Sequence, residues 1–234
     1  LKVGKSSEGA SAAKSHTGSL TGDDKVFDMV FDSVGVERVK TITDLFNCAK
    51  TLSMKNIPRG NRLTIVTNAG GPGVISTDAL IEDNGRVAKL EKNTIKKLDA
   101  ILPASWSKGN PVDILGDATP ERYSNALSVC VKDKNTDAIL VLLTPQSMTA
   151  PAEVALEAVK IAKKSKKPII TCWMGGADTE RGVKVLFENN IPIFRNPENA
   201  VKSFMYISRQ QKKVKKIKTK SASAIKNFKP KYKA

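Results

Sequence analysis

Residues 63–84 read LTIVTNAGGPGVISTDALIEDN. Leu63 to Val66 is a short β-branched run, TNAGGPGV is rich in small residues, and Gly73 to Asn84 repeats apolar residues at three- and four-residue spacing. This pattern predicts a strand, a glycine turn and a helix, the βα unit of a parallel sheet. The turn falls at the carboxyl end of the strand, where α/β folds bind phosphate groups. It fits neither GxGxxG nor GxxxxGK[ST], so the motif alone is equally a tight strand-to-helix turn.

The same alternation continues downstream. Further strands are expected at Val87 to Leu90, Ala138 to Leu143, Pro168 to Trp173 and Ile191 to Phe194. Helices are expected at Thr94 to Leu102, Pro120 to Val131, Ala152 to Lys164, Glu180 to Asn189 and Pro197 to Arg209. Thr119 before Pro120 and Asn196 before Pro197 place a capping residue ahead of proline at the first helical position. Five strands with flanking helices suit an α/β, flavodoxin-like parallel sheet of order 2-1-3-4-5.

The stretch before Leu63 has another character. Lys2 to Gly4 reads as the tail of a strand, the glycine- and serine-rich run to Gly22 as a loop, Asp24 to Val34 as a helix, Val36 to Val39 as a strand and Thr43 to Leu52 as a closing helix. Two strands do not make a stable α/β domain, so the expectation is the C-terminal part of a domain begun upstream of Leu1. MKNIPRGN marks the boundary. The organisation expected is residues 1–56, 57–209 and a basic tail at 210–234.

The net charge is +16, yet the tail from Arg209 carries ten lysines, one arginine and no acid, leaving the body at +5. A charge so placed argues against a nucleic-acid partner. The tail's low apolar content favours a solvated linker over an anion-binding arm or a packed helix. No apolar run approaches the roughly 20 residues that span a bilayer, so no membrane partner is expected. Cys48, Cys130 and Cys172 share no metal or redox spacing and read as free thiols of a reducing cytoplasm.

His16, the only histidine, lies in SSEGASAAKSHTGSLTG. Judged by spacing, a solitary histidine is more often an incidental surface residue. Asp23 or Asp24 can cap the helix that follows. In KGNPVDILGD, Asp113 and Gly116 occupy an irregular stretch that could lie beside TNAGGPG, although unaided Asp113 reads as a turn or capping residue. Gly175 and Gly176 of MGGADTERG read first as a loop needing positive φ. Trp106, Trp173 and Tyr123 are too scattered for a base-stacking platform, and no metal site is expected.

LKVGKSSEGASAAKSHTGSLTG, VTNAGGPGVISTDAL, LPASWSKGNPVDILGDATPERY and KKPIITCWMGG, followed by NNIPIFRNPENAVKSF, stand in the order found in one family. The chain resembles the ADP-forming acyl-CoA synthetases (acetate-CoA ligases of the ADP-forming type), relatives of succinyl-CoA synthetase. The resemblance implies part of a succinyl-CoA ligase-like flavodoxin domain followed by a second flavodoxin-like domain. It also implies an acid-thiol ligase that interconverts acyl-CoA, ADP and phosphate with carboxylic acid, CoA and ATP, through an acyl phosphate and a phosphohistidine at His16. Asn68, Ala69, Gly70, Gly71 and Gly73 would bind phosphate, with Gly18, Asp113 and Gly116 supporting the loops. CoA, ADP or ATP and Mg2+ would be held mainly by a CoA-binding domain and an ATP-grasp domain outside these residues, in the same polypeptide or a partner subunit. The fragment alone is then expected to be inactive and the whole enzyme a cytoplasmic oligomer. The alternative is a non-catalytic acyl-CoA-binding regulatory or protein-acetyltransferase-associated domain, against which His16 argues.

Overall fold

The computed structural model describes residues 2–17 and 22–226. In chain order the elements are α1 (Ser7–Thr17), α2 (Asp24–Val34), α3 (Ile42–Leu52), β1 (Arg62–Thr67), α4 (Gly70–Glu82), β2 (Arg86–Val87) and α5 (Lys92–Ile101). There follow β3 (Val112–Asp113), α6 (Pro120–Cys130), β4 (Ala138–Leu143), α7 (Pro151–Lys164), β5 (Ile169–Trp173), a 3-10 turn (Gly176–Thr179), α8 (Glu180–Glu188), β6 (Ile193–Phe194) and α9 (Pro197–Lys226). The chain divides into two units, Leu1–Leu45 with Arg209–Ala234, and Phe46–Ser208.

The second unit is built on a parallel sheet of order β2-β1-β4-β5-β6, the flavodoxin-like order expected of the five strands named from the sequence. Every residue of β4 and β5 is buried. Successive side chains of a strand point to opposite faces, so a strand buried on both faces is almost wholly apolar, and the one hydroxyl of β5, Thr171, donates to Pro192 O at 2.8 Å. Ile139, Val141 and Leu143 pack with Tyr123, Leu127, Val154 and Leu186 from α6, α7 and α8. Ala138, Leu140 and Leu142 pack on the other face with Leu80 of α4 and Val201, Phe204 and Met205 of α9.

The sixth strand, β3, has two residues and no periodicity to announce it. It pairs with the carboxyl end of β1 (Val66 with Val112, Thr67 with Asp113), while β2 pairs with the start of the same edge (Arg62 with Arg86, Leu63 with Val87). Asn110 fills the gap between them. Its Oδ1 accepts from Ile65 N at 2.9 Å, and its Nδ2 donates to Leu63 O at 2.9 Å and Ala88 O at 3.0 Å. One side-chain amide thus completes the hydrogen bonding of a buried strand edge, where unmet backbone groups are costly.

The first unit departs from expectation. Ser7–Thr17 of the glycine- and serine-rich run folds as α1, because Ser6 Oγ accepts from Gly9 N at 3.0 Å and Ala10, Ala12 and Ala13 favour helix. The strands expected at Lys2 to Gly4 and Val36 to Val39 do not form. Among the described residues no neighbouring strand offers them a ladder. Helix α2 matches its expected span: Asp23 Oδ1 caps it by accepting from Lys25 N at 2.7 Å and Val26 N at 3.3 Å, and Gly35 ends it at φ 76°. Arg38 and Lys2 bind Asp24, and the Arg38 hydrogen bonds foremost hold its carboxyl down to about 2.

The helix expected to stop at Arg209 runs on to Lys226, so the expected tail is helical over residues 210–226, while 227–234 lie outside the described residues. Arg209 Nε meets Glu37 Oε1 at 2.9 Å, and Lys213 Nζ lies 2.7 Å from both Glu37 Oε2 and Asp32 Oδ1. Val214 and Ile217, one turn apart, cover Gly35, where an added β-carbon would stand 3.2 Å from each. Among the lysines these few apolar residues give α9 one packing face. Glu37→Gln removes both ion pairs at Glu37. At about 1 kcal/mol the locally open fraction should rise roughly fivefold, and tryptic cleavage after Lys212 and Lys213 should quicken in proportion. Unchanged cleavage would show that the pairs do not hold the helix.

Candidate functional site

The glycine turn stands at the carboxyl end of β1, on an anchored base. Asn68 is 1% exposed, its Oδ1 accepts from Thr144 N at 2.9 Å, and its Nδ2 donates to Thr144 O at 2.8 Å. Thr67 Oγ1 accepts from Ala69 N at 3.0 Å and donates to Ala69 O at 2.7 Å. The side chain of Asn68 and the N–H of Ala69 are therefore used within the fold. Their part is to fix the turn, and free donors begin one residue later.

Helix α4 starts at Gly70 with Ala69 as its N-cap, and no side chain caps it. The first N–H groups of a helix have no partner inside it, and Pro72 has no N–H. This leaves the amides of Gly70 and Gly71 directed outward at the positive end of the helix dipole, with no acidic residue in the first turn. Helix α2 differs, since Asp23 already accepts from Lys25 N and Val26 N in its first turn. The start of α4 is open, and the start of α2 is filled by the carboxylate of Asp23.

The three glycines of the turn differ in purpose. At Gly71 an added β-carbon would meet nothing within 4 Å. At Gly73 it would stand 3.3 Å from both Pro111 Cβ and Thr67 Cγ2, so this glycine serves close packing of α4 on the strand ends. At Gly70 it would lie 3.4 Å from Asp113 Oδ2. The structure thus brings Asp113 beside the turn; its Oδ1 also accepts from Leu115 N at 2.9 Å, steadying a residue at φ 72°. Gly116 faces Gln146 from the loop after β4. Gly175 and Gly176 have φ of 138° and 55°, the positive values their loop requires.

His16 belongs to the first unit, exposed in the last turn of α1 rather than in a loop. Gly18 lies outside the described residues. Buried Tyr123 donates to Leu142 O at 2.9 Å, and desolvation, then the charge of Asp113, pushes its pKa well up. Burial pushes the thiols of Cys130 and Cys172 up to about 12, which leaves them inert near neutrality. Among the described residues no three His, Cys, Asp or Glu side chains gather to hold a metal, and no helix is long and apolar enough to cross a membrane. Sequence reasoning missed Thr67, Asn110 and Thr144. The GNP tripeptide, an asparagine ahead of a fixed proline, was the available signal for Asn110.

An open helix start stands behind a glycine turn at the carboxyl end of a flavodoxin-like parallel sheet, the place where α/β folds commonly receive anions. Residues 63–211 match the Ligase-CoA domain and residues 1–52 the succinyl-CoA ligase like flavodoxin domain, and the chain belongs to the Ligase-CoA family. It is 38% identical over 212 residues to acetate–CoA ligase [ADP-forming] I of Archaeoglobus fulgidus, covering 91% of this chain and 30% of that protein. It is 36% identical over 219 residues to the alpha subunit of acetate–CoA ligase [ADP-forming] II of Pyrococcus furiosus, covering 92% and 48%. The structure of Ca. Korarchaeum cryptofilum dinucleotide forming acetyl-coenzyme A synthetase 1 in complex with phosphate and ADP superposes with a TM-score of 0.86 at 30% identity, covering 93% of this chain and 47% of that one. The chain therefore spans less than half the length of these relatives and corresponds to a segment of ADP-forming acyl-CoA ligases. A non-catalytic acyl-CoA-binding role is not favoured by this kinship.

Because Gly71 is free of contacts and Gly73 is not, valine should separate their roles. Gly73→Val should destabilise the fold by about 1–3 kcal/mol through overpacking. Gly71→Val should leave the melting temperature essentially unchanged while weakening phosphate binding at the α4 start. A large fall in melting temperature for Gly71→Val, with phosphate binding retained, would reduce the turn to a structural device.

Proposed function

We propose that this chain is the phosphoryl-relay segment of an ADP-forming acyl-CoA synthetase, with His16 as the phosphoryl carrier and the start of α4 as a binding site for the phosphoryl group in transit. The observation that carries the proposal is the uncapped α4 N-terminus, where the Gly70 and Gly71 amides have no side-chain cap and the space at Gly71 is open. Asn68 and Ala69 hold that turn, and Asp113 and Gly116 support it from the adjoining loops.

The chemistry balances in three steps. A phosphate oxygen attacks the thioester carbonyl of acyl-CoA, the C–S bond breaks and CoA thiolate leaves, giving acyl phosphate. An imidazole nitrogen of His16 attacks phosphorus, the P–O bond to the acyl group breaks and the carboxylate leaves. A β-phosphate oxygen of ADP then attacks the same phosphorus, the P–N bond breaks, and ATP and neutral imidazole result. Histidine suits this relay because neutral imidazole is abundant near pH 7, and its exposed position on α1 leaves it open to reactants.

CoA, nucleotide and accompanying Mg2+ would be held mainly by CoA-binding and ATP-grasp domains in the longer protein or a partner subunit, and the segment alone would not turn over. Helix α2 supports a larger assembly: it buries none of its residues, and Val26, Met29, Val30 and Val34 are 49–65% exposed. A parallel sheet from the rest of the succinyl-CoA ligase-like domain would cover that face. Three buried cysteines outside any disulfide suit a reducing cytoplasm, and an oligomeric enzyme would accommodate the separate alpha subunits known among the relatives.

In the complete enzyme, His16 should acquire an acid-labile, base-stable phosphoryl label from ATP and magnesium, or from acyl-CoA and phosphate. His16→Ala should lose both label and ATP formation with the fold unchanged. A label retained in that variant would place the carrier elsewhere.

A further inference from the structure

The far end of the sheet from the glycine turn holds a cleft of about 350 Å³, formed by the segment after α3, the end of α7, the entry to β5 and the turn between α8 and β6. Its floor is apolar, with Met54, Ile169, Ile191 and Pro192. Lys55, Lys163 and Lys167 stand in its lining, which contains no aspartate or glutamate. We propose that this cleft binds a nucleoside diphosphate with an amino-bearing base, as a second anion site separate from the start of α4.

Two helices end here, and the carbonyls of helix ends ordinarily repel anions. In this cleft four of those carbonyls accept hydrogen bonds, three of them at the end of α8. Ile161 O accepts from Ser165 N at 2.9 Å, Leu186 O from Ile191 N at 3.0 Å, Phe187 O from Asn190 N at 3.0 Å and Val185 O from Asn189 Nδ2 at 2.9 Å. Lys167 Nζ donates to Asp133 O, so its ammonium is partly spent. Lys55 and Lys163 form no ion pair among the described residues and remain for a diphosphate. Glu188, the nearest acid in sequence to the α8 turn, is faced by Lys184 at 4.0 Å.

The amides supply the complementary polarity. Asn56 donates through Nδ2 to Ser165 O at 2.7 Å, and Asn189 likewise spends its Nδ2, so both present an Oδ1 acceptor. An exocyclic amine can donate to such an oxygen, a base can lie on the apolar floor, and two ammonium groups can meet the phosphates. The volume is at the low end of the roughly 300–1,000 Å³ of small-molecule sites and suits one nucleotide. Because Lys55 and Lys163 are exposed, their attraction is screened, and affinity should fall as salt rises. The site lies at the amino ends of β5 and β6, so it takes no part in phosphoryl transfer, and its success or failure is independent of His16.

The test is a titration of the 234-residue chain with ADP, read by the methyl signals of 13C-labelled methionine. Met54 should shift saturably, and adenosine and inorganic diphosphate should each bind at least about tenfold more weakly than ADP. Lys55→Glu with Lys163→Glu should weaken ADP binding by a similar factor. An unmoved Met54 signal at about 10 mM ADP would overturn the proposal. So would diphosphate binding as tightly as ADP, since that describes a surface charge patch. Should the double variant fail to fold, the wild-type titration with its three ligands still decides.

Discussion

Strand β1 is hydrogen-bonded along both edges, and where backbone partners run out two asparagines take their place. Asn110 bridges the interval between β2 and β3, and Asn68 ties the strand's carboxyl end to Thr144 at the end of β4. The orientation of α4 depends on this anchoring. With β1 fixed, Thr67 sets the turn at Ala69, and the close fit of Gly73 under Pro111 and Thr67 presses the helix start onto the strand ends. The positions of the Gly70 and Gly71 amides are consequently set by the fold itself, which is what electrostatic preorganisation would require of the proposed site.

The same logic explains why α2 is not an equivalent site. Both helices follow small-residue stretches, but Asp23 turns its own carboxylate onto the first amides of α2. The charge near Gly35 is likewise settled internally, by Arg209 and Lys213 on Glu37 and Asp32. Among the described residues, then, the unit that carries His16 closes its own α2 start, while the sheet unit leaves the start of α4 open.

The sheet was legible because β4 and β5 are apolar on both faces, a pattern few other structures tolerate, and because the Thr-Pro and Asn-Pro pairs mark helix starts. β3 was not legible, since Val112 and Asp113 fall in an irregular stretch and are placed by Asn110 and by pairing with β1. Around His16 the alanines outweighed the glycines and serines and made a helix of an expected loop. Beyond Arg209, Val214 and Ile217 were too few to raise the apolar content of a lysine-rich run, yet their spacing gives α9 its face on Gly35. At the turn, the importance of the glycines was visible from composition. The division between Gly71, which is open, and Gly73, which is packed, required three dimensions.

The central claim is that the start of α4 is an open anion site and the start of α2 is not. The most direct measurement is the set of backbone 15N–1H shifts of the chain during titration with inorganic phosphate. The account predicts saturable movement of the Gly70 and Gly71 amides, with Lys25 and Val26 unmoved because Asp23 holds them. Movement at Lys25 and Val26 without movement at Gly70 and Gly71 would contradict it.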